Sequence, residues 1–213
     1  MSSNWSKFLS TQTQPQRKRR SGSSNSAKKV NTNESPSDPS LPIRLTRCLA
    51  LDCEMVGVGQ GGHRSALAHV VIVNEFMEPV YSYHVLPKEH ITDYRTQWSG
   101  VTEKDLTNAI SFEQCQQQVA EIIKDRIIVG HDVAHDFRSL GLSHPRHLIR
   151  DTSKFKFFKK AFNGATPKLK MLAGRFLGKR IQTGEHDPKE DAVAALELYL
   201  KFKNQWEASL KTK

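Results

Sequence analysis

The stretch Ala50-Leu51-Asp52-Cys53-Glu54-Met55 decides how the rest of this chain is read. The mostly apolar residues Cys48 to Leu51 run straight into two carboxylates spaced i, i+2. Side chains alternate along a strand, so Asp52 and Glu54 project from one face. Like charges that close raise each other's pKa unless a cation lies between them. Mg²⁺ and its relatives take carboxylate oxygens, so a D-x-E at a strand end offers half of a metal site. Alone, the same pattern also fits a solvated strand end. The rest of the chain has to supply the other half.

The chain has 213 residues, a formal net charge of +10 and a hydrophobic fraction of 37%, with its polarity concentrated at the front. Residues 1–43 carry seven Lys/Arg against Glu34 and Asp38, and the remainder carries 25 basic against 20 acidic residues. Tail and body thus share the surplus, which favours a polyanionic partner, nucleic acid or an acidic membrane surface. No apolar run reaches the roughly 18 residues of a spanning helix, so no membrane insertion is expected, and a signal peptide's apolar core is missing. Cys48, Cys53 and Cys115 are odd in number and form no C-x-x-C pair. That argues against a disulfide framework or a zinc site and suits a reducing compartment.

Residues 1–43 have almost nothing to bury and are expected to be a disordered basic tail. Within it, Arg17-Lys-Arg-Arg20 and Lys28-Lys29 read as a nuclear-localisation or RNA-binding patch, or as a solubilising one. Trp5 and Phe8 stand alone there and could anchor a partner. The folded domain is expected over residues 44–208, with 209–213 a short C-terminal tail. Gly57-Val-Gly-Gln-Gly-Gly62 spells G-x-G-x-x-G but leads into another apolar strand, so it predicts a hairpin rather than a phosphate cradle. Pro79 to Leu86 makes the third strand of a meander. Thr102 is expected to cap a short helix, and Ser111-Phe-Glu-Gln114 opens the next as a capping box.

Arg126 to Gly130 is a β-branched run, predicted as a buried parallel strand; Asp132 is expected to cap a helix running to Leu140, and Leu148-Ile149 to open a fifth strand. Lys168 to Leu177 reads as a helix closed by Gly178. The last helix opens with Asp187 as cap, Pro188 at the first position and Glu190 at the third. The pattern predicts an α/β domain: a mixed five-stranded sheet, three-strand meander then parallel strands, flanked by helices.

Asp136 has no capping task and would overhang the sheet's carboxyl edge, where α/β sites form, or be a solvated helix acid. His186 precedes the last cap and Asp191 lies in its first turn, where the helix dipole alone would favour an acid. The ordered set Asp52, Glu54, Asp136, His186 and Asp191 resembles the DEDDh exonucleases, the ribonuclease T-like 3′-to-5′ superfamily with its ribonuclease H-like fold. Ala50–Gly57, Thr92–Gly100, Gly130–Asp136 and Arg150-Asp-Thr152 resemble its Rex-type RNA exonuclease branch. Trp98, Val101 and His135 vary the branch's blocks and are not expected to touch the chemistry.

The resemblance implies two divalent ions, Mg²⁺ or Mn²⁺, among Asp52, Glu54, Asp136 and Asp191, with His186 as general base. Without metal, four clustered carboxylates are expected to be partly protonated or locally disordered. Met55 and Arg95 match positions that embrace the terminal nucleotide, Arg95 near the ribose 2′-hydroxyl; from sequence alone they read as a core Met and a surface Arg. Lys154-Phe-Lys-Phe-Phe-Lys-Lys160 reads as a phosphate-tracking rim with stacking, which Lys168, Lys170 and Arg175 could extend. The function implied is release of mononucleotides from single-stranded RNA ends by a monomer in the nucleus or nucleolus, in ribosomal RNA processing on pre-ribosomal particles. Two rivals stand beside it: a DNA-directed exonuclease of the same chemistry, and a non-catalytic RNA-binding ribosome assembly factor.

Overall fold

Strand β1 (Cys48–Val58) is the axis of the domain. In the computed structural model, which describes residues 44–211, it lies mid-sheet with neighbours on both sides. The readings of the tail, Trp5, Phe8 and the basic clusters included, lie outside the described residues. The glycine-rich segment closes as a short 3₁₀ turn at Gln60–Gly62, with φ of 75° at Gly59 and 63° at Gly61. These left-handed angles suit glycine, and the chain returns at once as β2 (Arg64–Asn74). With β3 (Pro79–Leu86) the antiparallel meander is complete, as the sequence predicts.

Two short strands raise the expected five to seven among the described residues. They are β4 (Ile91–Asp93), paired with the far end of β1, and β5 (Ile110–Ser111), parallel to β3. Runs of two or three residues carry no period to read; the neighbouring strand imposes them. Strand β6 (Ile127–Gly130) runs parallel to β1 and pairs with it only from Cys48 to Ala50. Strand β7 (Ile149–Asp151) lies parallel on its outer side, giving the order β5-β3-β2-β1-β6-β7.

The helices are α1 (Thr96–Ser99), α2 (Phe112–Ile123), α3 (Ala134–Ser139), α4 (Lys156–Ala161), α5 (Leu169–Leu172) and α6 (Pro188–Lys211). Helix α5 continues as a π turn, Ala173–Leu177, and Gly178 ends it at φ 69°. Ser111 Oγ accepts from the amide of Gln114, so the α2 cap forms as read. Asp187 caps α6, its Oδ1 accepting from the amide of Lys189 at 2.8 Å. Helix α6 then runs to Lys211, past the boundary expected at residue 208.

Three local expectations are corrected. Thr102 is not a cap: its amide and hydroxyl both donate to Asp105 Oδ2, and the segment forms only a 3₁₀ turn at Lys104–Leu106. Asp132 is not the cap of α3 either; it adopts a left-handed φ of 55°, and its amide is bound by Asp151 Oδ1 at 2.9 Å. An Asp tolerates that conformation, which turns the chain sharply out of β6. The aromatic side chains between Lys154 and Lys160 are core rather than a stacking rim. Phe155 stacks on Trp206 with centroids 4.1 Å apart, and Phe158 is fully buried against Phe176 and Phe202.

That aromatic cluster joins the core between α6 and the sheet, where Ala50, Val71 and Val73 meet Ala195, Leu196 and Leu198. Each large apolar side chain buried there contributes about 1.5–3 kcal/mol. The packing fixes α6 across the face of β1 that also carries Asp52 and Glu54. A buried Arg150 adds a tie from β7: its Nε and Nη2 grip Glu207 of α6 at 2.7 and 2.9 Å.

Candidate active site

The middle of β1 and the first turns of α3 and α6 approach one another, and each brings acid. Glu54, Asp136 and Asp191 are buried at 8%, 5% and 4% exposure, and Asp52 is half-buried. The alternation of β1 sets the first two acids on one face. The capped first turn of α6 sets Asp191 against them. Ligand atoms of Glu54, His186 and Asp191 all lie within 4.8 Å of one another. Asp52 adjoins this triplet, and its charge is felt in common with Asp136, Asp191 and Glu54.

Crowded together away from water, these acids are pushed toward their protonated forms. Burial first, then Asp191 and Asp136, pushes Glu54 up to about 8. Burial raises Asp136 to about 7, against the pull of a hydrogen bond from the Cys53 thiol. Asp52 is raised well above the carboxylate range, by burial and then by Asp136. Asp191 is raised by burial and held back by the amide of Gln182, whose Nε2 donates to its Oδ2 at 2.7 Å.

The other oxygen of Asp191, Oδ1, is buried and accepts no hydrogen bond among the described residues. A buried carboxylate oxygen without a partner is costly, and a cation is the partner that would relieve it. Hard oxygen donors of this kind, with an imidazole at the rim, fit a divalent ion such as Mg²⁺ or Mn²⁺. Of the four acids read from the sequence, Glu54 and Asp191 fall in this cluster with His186, and Asp52 and Asp136 lie within electrostatic reach of them.

His186 is 36% exposed, its Nδ1 3.6 Å from Asp191 Oδ2. Its position is set from the backbone: the His186 amide donates to the carbonyl of Trp98 at 2.9 Å. Trp98 belongs to α1, so this segment does bear on the site, through its main chain rather than its exposed ring. Gly100 closes α1 at φ 66°, where an added Cβ would stand 3.1 Å from the His186 carbonyl oxygen.

Met55 is half-buried next to Glu54. Arg95, at φ 52°, sends its guanidinium to the glycine-rich turn, with Nη1 on Ser65 Oγ at 2.9 Å and Nη2 on Gly62 O at 2.7 Å. Two of its five donors are thus engaged in bracing the hairpin.

Sequence reasoning missed three supporting residues. Cys53 alternates away from the two acids, so it read as core; beyond the end of β6 its thiol and amide reach Asp136 instead. Its own pKa is pushed well up by burial and then by Asp136, so it stays a thiol donor. Gln182 lies in an irregular loop where no period exists to place it. Asp151 holds the sharp turn ahead of α3, accepting from the amides of Asp132 and Ser153 and from Ser153 Oγ. A groove of about 770 Å³ lined by Arg146, Lys154, Lys156, Trp206 and Leu210 contains none of the acids.

A mixed sheet with buried acids from a central strand and two helix starts, and a histidine beside the last, defines an exonuclease domain. The exonuclease family profile, RNase_T, matches residues 49–199, and the chain belongs to that family. Among curated relatives, RNA exonuclease 4 of Xenopus tropicalis is 48% identical over 169 residues, 79% of this chain and 41% of the relative. RNA exonuclease 4 of Homo sapiens is 46% identical over 164 residues, 77% of this chain and 39% of the relative. The chain thus spans about two fifths of the length of these relatives.

Among solved structures, the Neurospora crassa Pan2 catalytic unit superposes with a TM-score of 0.68 at 27% identity, over 79% of this chain and 29% of that one. The Saccharomyces cerevisiae Pan2 pseudoubiquitin hydrolase–RNA exonuclease module, in complex with AAUUAA RNA, superposes with a TM-score of 0.62 at 28% identity, over 78% and 29%. The ribonuclease H-like exonuclease fold expected from the sequence is the fold observed.

Proposed function

We propose that this chain is a metal-dependent 3′-to-5′ exoribonuclease that releases mononucleotides from single-stranded RNA ends. The observation that carries the reading is the orphaned Asp191 Oδ1 among buried acids, with an imidazole at the rim. Asp52, Glu54, Asp136 and Asp191 would hold two divalent ions, which stabilise the attacking and leaving oxygens of an in-line phosphoryl displacement. His186, with Nδ1 turned to Asp191, keeps Nε2 for the proton of the attacking water. Its main-chain tether to Trp98 holds the ring at the site while leaving it room to turn. On the family likeness, Met55 and Arg95 embrace the terminal nucleotide, Arg95 near the ribose 2′-hydroxyl. The names of the RNA exonuclease 4 relatives and the RNA held by the Pan2 module support RNA over DNA as substrate.

Action in the nucleus or nucleolus, in ribosomal RNA processing, follows from the basic clusters Arg17–Arg20 and Lys28-Lys29 and from the Rex-type likeness. Titrating Mg²⁺ and Mn²⁺ against a 3′-labelled RNA and the matching DNA tests the reading. Metal-dependent release of labelled mononucleotide, faster from RNA, is expected. Faster release from DNA would transfer the site to the DNA-directed rival. No release with either metal would leave an RNA-binding factor.

A further inference from the structure

Between Lys154 and Arg180 the chain carries nine Lys/Arg and no Asp or Glu. Outside that segment, residues 44–213 hold sixteen bases against twenty acids, so the positive surplus of the folded part comes entirely from this one stretch. The fold turns the stretch into a surface. In α4, Lys156, Lys159 and Lys160 are spaced i, i+3, i+4 and share one side of the helix, while Phe157 and Phe158 pack inward. Arg175 Nη1 donates to the carbonyl of Ala161, which fastens the π turn to the end of α4 and brings Lys168 and Lys170 alongside. Lys156, Lys160, Lys168 and Lys170 are all exposed. No ion pair engages them among the described residues, whereas Lys154 and Lys179 are paired with Asp151 and Glu197.

The stretch runs up to the acids at its far end. Midway, His131, which follows β6 directly, bonds to the backbone of Pro167 between α4 and α5. At its far end the chain passes into Gln182, whose amide holds Asp191. Uncompensated lysines gathered on one surface repel one another unless an anion meets them. With the aromatic rings buried, they offer charge without stacking, which fits a sugar-phosphate backbone rather than bases.

We propose that the α4–α5 surface binds the phosphates of the RNA strand upstream of the 3′ end, giving the enzyme a sequence-independent hold on long single-stranded RNA. This inference rests on the exoribonuclease reading above.

The test is equilibrium binding of a long unstructured RNA to the full chain over a series of salt concentrations, with metal and without turnover. Wild type is compared with the combined variant Lys156→Gln, Lys160→Gln, Lys168→Gln and Lys170→Gln. For single strands each lost phosphate contact lowers the slope of log affinity against log salt by about 0.7. A slope reduced by about that amount per contacting lysine supports the proposal, as does a several-fold fall in the ratio of turnover on long over short RNA. An unchanged slope would overturn it, and so would equal losses of turnover on both lengths with the slope intact. A variant that loses only binding to anionic lipid vesicles would also overturn it, in favour of a membrane surface. Because the slope needs no catalysis, an inactive enzyme with a lysine-dependent slope would defeat the exoribonuclease reading and spare the RNA-binding surface.

Discussion

The His186 amide donates to the Trp98 carbonyl at 2.9 Å, and this bond joins two loops that lie 88 positions apart in the chain. One loop carries the candidate base, the other carries Arg95. The histidine side chain is left half-free while its Cα is pinned. A general base that must pass a proton from water needs that combination of fixed origin and mobile ring.

Gly100→Ala tests the pin. The left-handed angle costs an alanine about 1–2 kcal/mol, and its Cβ would press on the His186 carbonyl from 3.1 Å. Turnover is expected to fall tenfold or more with RNA affinity little changed, read by single-turnover kinetics and equilibrium binding. A loss confined to thermal stability would mean the pin is structural only.

His186→Ala removes the base while leaving the acids. General bases contribute about 10²- to 10⁴-fold, so a loss of that size in turnover is expected, together with loss of the rising limb of the pH profile. A variant that keeps more than a tenth of the rate would show that water is activated without the imidazole.

Asp52→Asn separates folding from chemistry. It removes one titratable acid from a crowded, buried set, so the metal-free variant should melt at or above the wild-type temperature, most clearly at alkaline pH where the wild-type acids are forced to ionise. Cleavage in Mg²⁺ should be abolished and calorimetric metal binding weakened. Near wild-type turnover would exclude Asp52 as a ligand.

Proton linkage gives a prediction that needs no substrate. In the metal-free fold Glu54 titrates near 8 against an ordinary 4.5, and Asp136 near 7 against 3.8. Between those values the folded chain binds more protons than the unfolded one, so stability declines as pH rises from about 4.5 to 8. A kcal/mol moves the melting temperature of a domain this size by roughly 2–4 °C. Thermal melts in a chelator should therefore fall with pH across that window, and Mg²⁺ or Mn²⁺ should restore most of the loss at the alkaline end. A flat chelated profile would contradict the clustering of protonated acids.

Glu207→Ala probes the scaffold. Arg150 is 5% exposed at its side chain and Glu207 34%, so the loss strands a buried guanidinium beside a partly solvated gap. Removing one partner of a buried pair costs 3–5 kcal/mol, and the exposure of Glu207 discounts this to about 2–3 kcal/mol. Chemical denaturation should read it as a lower midpoint with unchanged slope.

What could be read in advance was whatever local chemistry dictates. Alternation along β1, the Gly57–Gly62 hairpin and the Asp187 cap each depend on residues a few positions apart, and each formed as expected. The four acids and His186 were picked out by their order in the chain and their likeness to the DEDDh set. What failed to show was decided by distant neighbours. Asp132 leaves the helix it was expected to cap because Asp151, 19 residues away, binds its amide. Phe155 and Phe158, interleaved with lysines, are as compatible with a stacking rim as with a core until Trp206 arrives from α6. Main-chain tethers such as the one at His186 leave no trace in side-chain identity at all.

The early end of the β1–β6 ladder at Ala50 has one more consequence. From Leu51 onward β1 has lost that neighbour, and it gains β4 only at Gly57. A bare strand flank is ordinarily a hazard, an invitation for a foreign strand to zip on. Here the chain plugs the slit with its own Asp136, which takes the Cys53 amide. The same carboxylate thus covers the bare flank of β1 and lies within electrostatic reach of Glu54. Lengthening β6 by even one pairing residue would heal the slit and take the Cys53 amide away from Asp136, giving a tidier sheet with one acid fewer held beside Glu54.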